Sequence, residues 1–119
     1  MQVGVTGSSG FLGSHLTSAL HQLTDFEVTT LKRSSSKRFP EISELKSFIK
    51  NLDLIYHVGG VNRGTNEEIF EGNIQATFNL LEAIRKYGNS SPRIIFTSSS
   101  QVYKKINSPG KLVSELYKA

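Results

Sequence analysis

The stretch from Val3 to Leu16, VGVTGSSGFLGSHL, decides the fold. It opens inside a short β-branched run, Gln2 to Thr6, and from Phe11 to Leu23 the residues Leu12, Leu16, Ala19, Leu20 and Leu23 recur at helical spacing. A strand therefore feeds a helix through a turn carrying Gly7, Gly10 and Gly13, each three residues from the next. Glycines suit such a turn because it must bend tightly, bring backbone N–H groups against a diphosphate, and let the helix start pack close to the sheet. Side chains would obstruct all three tasks. The spacing alone also fits an ordinary strand-to-helix turn, so the reading depends on what surrounds it.

Outward from the turn, strands and helices alternate. Phe26 to Leu31 (FEVTTL) predicts a second strand, followed by a polar loop from Lys32 to Pro40. Ile42, Leu45, Phe48 and Ile49 form a short helical stripe, and Asp53 to Val58 (DLIYHV) is apolar enough for a buried strand. After a loop from Gly59 to Gly64, the stripe Ile74, Phe78, Leu81 and Ile84 predicts the longest helix, from about Asn66 to Tyr87, closed by Gly88 at a C-cap position. Arg93 to Thr97 (RIIFT) predicts another buried strand. This order implies an α/β fold with a doubly wound parallel sheet and right-handed crossovers.

A chain of 119 residues suits one domain and leaves no room for a separate substrate domain. The expectation is a single domain over residues 1–119 with no C-terminal substrate domain. The sequence has no cysteine, which excludes disulfides and thiolate metal sites, and its three histidines are too far apart to suggest a local metal cluster. No metal site is expected. The first residues enter a strand directly, without a basic region and long apolar run, and no segment approaches the about 20 apolar residues of a membrane span. A cytoplasmic protein without membrane contact is expected. The net charge of +4 is modest and is concentrated at Lys32, Arg33, Lys37 and Arg38, with a second group at Lys104, Lys105 and Lys111. Such runs serve a phosphate ligand as readily as nucleic acid.

The string TGSSGFLGSHL resembles the TGxxGFxG signature of the extended short-chain dehydrogenase/reductases, the nucleotide-sugar epimerase/dehydratase family. DLIYHVGGVN and IIFTSSSQVY fall at that family's expected places, and NIQATFNLLEAIRKYG looks like its long helix, so the resemblance covers nearly the whole chain. The resemblance implies a Rossmann-type NAD(P)-binding fold, incomplete relative to the full family fold, and hydride transfer at a sugar carbon in polysaccharide biosynthesis. Within the family, HVGGVNR and the short connection after the serine strand look most like capsular-polysaccharide enzymes that reduce or epimerise a UDP-linked keto-hexosamine. The partner so implied is a nucleotide-sugar, a UDP- or dTDP-hexose. Cofactor contacts are implied at Gly7, Ser8, Ser9, Gly10, Phe11, Leu12 and Gly13, and at Gly59 and Gly60 near the adenine and ribose. His57, at a strand end, reads as structural.

Rossmann sites selective for NAD usually present an acidic residue after the second strand, whereas NADP sites place arginine there. This chain has Leu31, Lys32, Arg33 and Ser34. A guanidinium at Arg33 and a hydroxyl at Ser34 can take a 2′-phosphate, so NADP(H) is favoured over NAD(H). A solvated basic loop without a ligand is the competing reading.

Hydride chemistry at a carbinol needs a proton acceptor, and the family uses a tyrosine whose pKa is depressed by a lysine one helical turn away, with a serine or threonine beside it. Matching SSSQVY to the family's SSxxVY places the catalytic hydroxyl at Ser99, with Ser98 and Ser100 as register alternatives, and Tyr103 four residues on. The YxxxK pair is missing: four residues after Tyr56, Tyr87 and Tyr103 stand Gly60, Ser91 and Asn107. NSPGKLVSE looks like YGxSKxxxE with Lys111 and Glu115 in register, which puts Asn107 where tyrosine belongs. Either the acid/base is lost, or Tyr103 has taken the role, or the chain is a shortened version of a longer enzyme.

Three functions follow. The first is the cofactor-binding part of a nucleotide-sugar oxidoreductase or epimerase with Ser99 and Lys111 as catalytic remnants. The second is a non-catalytic NADP(H)-binding or regulatory module. The third, a nucleic-acid binder, is disfavoured because no aromatic-interleaved basic stripe accompanies the charges. By resemblance, a homodimer would form through the helix matching Asn73 to Tyr87 and the one carrying Lys111.

Overall fold

The computed structural model describes residues 1–32 and 39–99. Its elements run β1 (Gln2–Thr6), α1 (Phe11–Leu23), β2 (Glu27–Thr30), α2 (Ile42–Phe48), β3 (Leu54–His57), α3 (Asn66–Phe70), a π-helical turn (Glu71–Gln75), α4 (Ala76–Tyr87) and β4 (Arg93–Phe96). The strands form one parallel sheet in the order β2-β1-β3-β4, with Val3 opposite both Val28 and Leu54, and Ile55 opposite Ile94. From β1 the chain winds out to β2 on one side, then returns past β1 to β3 on the other. The winding direction therefore reverses between β1 and β3, where open α/β sheets bind ligands at the strand carboxyl ends.

Alternation along the strands sends side chains to two faces, and each face has its own core. Val3, Val5, Leu20 and Leu54 are buried together beneath α1. Leu45, Phe48, Ile49, Leu52, Ile55, Leu80 and Ala83 form the other cluster, beneath α2 and α4. Fully burying one such aliphatic side chain stabilises by about 1.5–3 kcal/mol, so these clusters fix the direction of every strand that points at the site. The expected doubly wound α/β architecture is present as a four-stranded sheet.

One expectation needs correction. Arg93 to Thr97 reads as a buried strand, but among the described residues β4 lies at the sheet edge and leaves Ile95 41% and Phe96 57% exposed. Apolar composition reports that a face is to be covered, not what covers it. The long helix runs over residues 66–87 and ends at Gly88 as expected, with a π-helical turn at Glu71–Gln75 inside it. The Asn73 side-chain amide donates to the Ile69 carbonyl at 2.9 Å, inside the π-helical turn. A side chain bonded into the ladder is a recognised cause of such a widening. Past this turn the helix buries Asn79, Leu80 and Ala83, while Phe70, Ile74, Phe78 and Leu81 stand about half exposed. The stripe that predicts the helix thus lies largely on its outer face. Among the described residues no helix is long and apolar enough to cross a membrane.

Candidate functional site

A cleft opens at the carboxyl ends of β1 and β3, where the winding reverses. Gly7 leaves β1 with φ +69°, a conformation that side chains disfavour, and a Cβ there would sit 2.6 Å from the Gly59 Cα and backbone nitrogen. Gly13 is buried under the turn, and a Cβ on it would lie 2.0 Å from the Gly7 carbonyl oxygen. Gly7 therefore joins the turn to the β3 exit, and Gly13 seats α1 against the turn. Gly10 differs: it is exposed, its N–H donates to the Gly7 carbonyl at 3.0 Å, and it is the N-cap of α1 without any side-chain cap. The first turn of this 13-residue helix carries no acidic residue. Its unpaired N–H groups and positive dipole end meet the chemistry of a diphosphate, and the two close glycine approaches keep the cradle open.

Of the residues expected at the cofactor, Gly7, Ser9, Gly10, Gly59 and Gly60 line the cleft. Ser8 lies within the turn, Gly13 lies beneath it, and Phe11 and Leu12 are 85% and 53% exposed at the start of α1. Leu31 and Lys32 form the side beyond β2, facing Pro40 and Leu45. Arg33 and Ser34 fall outside the described residues, as do Tyr103, Asn107 and Lys111. Ser99 is exposed, three residues after the end of β4, on the same edge of the sheet as the cleft but not among its lining residues.

Three side chains that the motif reading leaves aside shape the opposite wall. His57 is 4% exposed at the end of β3, with its Nδ1 2.7 Å from the Thr6 hydroxyl and its Nε2 2.9 Å from the Thr77 hydroxyl. Its structural reading agrees with this burial and pairing, and desolvation holds its pKa below the ordinary 6.5. Asn73 accepts from the Val61 N–H at 3.0 Å and donates to the Val61 carbonyl at 2.6 Å, pinning the loop after Gly60. Asn79, buried, donates to the Pro40 carbonyl at 2.9 Å, fixing the loop that returns to α2. Both asparagines belong to the stretch NIQATFN, whose polar residues at inward positions are the signal that could have found them.

A parallel sheet with helices on both faces and a glycine-built cleft at its switch point defines a Rossmann-type α/β domain. The chain belongs to the NAD dependent epimerase/dehydratase family, whose model matches residues 3–118. It is 38% identical over 102 residues to UDP-2-acetamido-2,6-beta-L-arabino-hexul-4-ose reductase of Pseudomonas aeruginosa, an alignment covering 85% of this chain and 26% of that reductase. A mutant of uronate dehydrogenase from Agrobacterium tumefaciens complexed with NAD is 27% identical, with a TM-score of 0.66 over 86% of this chain and 42% of that one. RMD from Pseudomonas aeruginosa, complexed with NADPH, shares the fold with a TM-score of 0.78 over 98% of this chain and 41% of its own, at 24% identity. The chain thus spans about a quarter of that reductase and two fifths of these structures.

Proposed function

We propose that this chain is the dinucleotide-binding part of an NAD(P)-dependent reductase or epimerase acting on a nucleotide-sugar. The observation that carries the reading is the contact of Gly7 with Gly59 at the sheet's switch point, beside an uncapped and acid-free helix start. The Gly7 to Gly13 segment would hold the diphosphate through backbone N–H groups, and Gly59 and Gly60 would let the adenosine half approach the β3 exit. Arg33 and Ser34 would pair a 2′-phosphate, which makes NADP(H) the preferred cofactor over NAD(H). When bound, the nicotinamide supplies or accepts hydride. Ser99 would orient the sugar hydroxyl or keto oxygen, Lys111 would lower the pKa of a nearby acid, and Tyr103 would be that acid. The similarity to a UDP-keto-hexose reductase supports a UDP-linked sugar as substrate.

A non-catalytic module that senses the cofactor is the second reading, favoured by Asn107 at the position of the family's tyrosine. A second copy of the chain would pack on the outer face of α3 and α4, where Phe70, Ile74, Phe78 and Leu81 form an exposed apolar stripe.

Calorimetric titration with NADPH and NADH, alongside Arg33→Ala, tests the cofactor reading. Saturable NADPH binding that weakens about tenfold or more in the variant supports it, since a charge-assisted pair contributes about 1.5–3 kcal/mol. Absence of binding by either nucleotide refutes it.

A further inference from the structure

We propose that His57 is a positioning residue of the nucleotide cleft: as the neutral Nε2–H tautomer it ties β1, β3 and α4 together, and dinucleotide binding weakens when the ring is protonated. The inference rests on the cofactor reading above.

The direction of each hydrogen bond follows from what each atom can do. The Thr77 hydroxyl lies 2.6 Å from the Asn73 carbonyl oxygen, which only accepts, so Thr77 donates there. Toward His57 the same hydroxyl is left to accept, which places the ring proton on Nε2. The neutral ring then presents a bare Nδ1, and the Thr6 hydroxyl donates to it at 2.7 Å. Thr6 Oγ1 in turn accepts from the Gly59 N–H at 3.3 Å. One directed chain thus runs from Gly59 through Thr6, His57 and Thr77 to Asn73, and Asn73 holds Val61. Gly59 is the residue against which Gly7 is packed, so a shift of the β3 exit passes directly to the glycine turn.

Protonation breaks this order at one atom. An N–H at Nδ1 faces the Thr6 O–H, which must turn away and lose the acceptor it has, in surroundings where Thr6 is 4% exposed. The groups facing His57 are Thr6 on β1, Thr77 on α4 and the Phe96 ring on β4, its centroid 5.6 Å away, and none of them is charged. Among the described residues that line the cleft, Lys32 is the charged one, and it is a cation. Among the described residues none of these groups compensates an imidazolium. A ring acting directly as a cation for the diphosphate would tighten binding in acid; a positioning ring does the opposite, so the sign separates the two roles.

The test is the dissociation constant of NADP⁺ and of NAD⁺ by calorimetry, from about pH 8 down to about pH 5, for the native chain and His57→Gln. Glutamine can accept and donate but does not titrate in this range, and titration of the ligand itself cancels between the two proteins. The ratio of the native Kd to the variant's should rise toward about tenfold per pH unit once the pH is below the ring's pKa. Parallel curves, or native binding that tightens in acid, overturn the proposal alone. Failure of both nucleotides to bind at about pH 7.5 overturns the cofactor reading and this proposal with it. If His57→Gln does not fold, the imidazole resonances of the native chain decide the matter. A saturating nucleotide should lower the His57 pKa, by reciprocity of linked equilibria, and an unchanged or raised value overturns the proposal.

Discussion

At the β1–β3 side of the sheet, backbone meets backbone: a Cβ on Gly7 would lie 2.6 Å from Gly59, and one on Gly13 would lie 2.0 Å from the Gly7 carbonyl. At β4 the surroundings are open, with Ile95 and Phe96 41% and 57% exposed and Ser99 in contact with solvent. Both regions stand on the carboxyl edge of one parallel sheet. The first is sterically fixed, because its close approaches are between backbone atoms. The second supplies an edge and a hydroxyl. If the proposed function holds, binding and chemistry are separable along this line, and perturbations should divide with them.

The largest effect is expected at the closest contact. Gly13→Ala forces a methyl group into the Gly7 carbonyl, for which neither helix nor turn can yield cheaply, and should destabilise by about 3–4 kcal/mol with loss of nucleotide binding. Urea unfolding of the purified variant measures it. A loss below about 1 kcal/mol would mean that the turn is looser than its contacts imply.

Thr6→Val keeps the volume but removes the acceptor of the Gly59 N–H and the donor to His57 Nδ1. With both partners buried or half-buried, the expected cost is about 2 kcal/mol, read from the same unfolding midpoint. Thr97→Val, which removes the hydroxyl bonded to the His57 carbonyl at 3.4 Å on the exposed β4 side, should cost under about 0.5 kcal/mol. Equal losses in the two variants would erase the distinction between the regions.

The pH dependence of stability sharpens it further. Burial lowers the His57 pKa, so between the unfolded value of 6.5 and the folded value the unfolded chain binds more protons. Stability is fully present above the unfolded value and falls as the pH drops through that window, with a slope of up to about 1.4 kcal/mol per pH unit from this group. His57→Gln should flatten that slope, and an unchanged slope would assign the acid sensitivity to other groups.

How far the sequence could be read follows the same division. The spacing of Gly7, Gly10 and Gly13, the alternating elements and the family were legible because steric requirements at a turn leave few residue choices. The walls held by Asn73 and Asn79 were not, because a polar side chain inside a helix names neither its partner nor the loop it will meet. The periodicity of Ile74, Phe78 and Leu81 announced a helix but not its inner face, since these three stand about half exposed while Asn79, Leu80 and Ala83 are the buried residues. His57 could be read as structural from its place at a strand end, but its tautomer required the direction of the Thr77 bond.

The smallest change in stability, and the clearest separation of the two regions, is expected from Ser99→Ala. Ser99 lies on the exposed side beyond β4, so its substitution should move the unfolding midpoint by less than about 0.5 kcal/mol and leave nucleotide affinity within about twofold. If the proposed role at the sugar oxygen holds, any cofactor-dependent reduction of a UDP-linked keto-hexose should nevertheless fall by about a hundredfold or more, because a hydrogen bond aimed at developing charge acts on the transition state rather than on the bound ground state. Nucleotide affinity by calorimetry and turnover by the change in nicotinamide absorbance, measured on the same preparation, read the two effects separately. A parallel loss of nucleotide affinity would place Ser99 in the binding half of the cleft, and the line between holding the cofactor and acting on the sugar would have to be redrawn through β4.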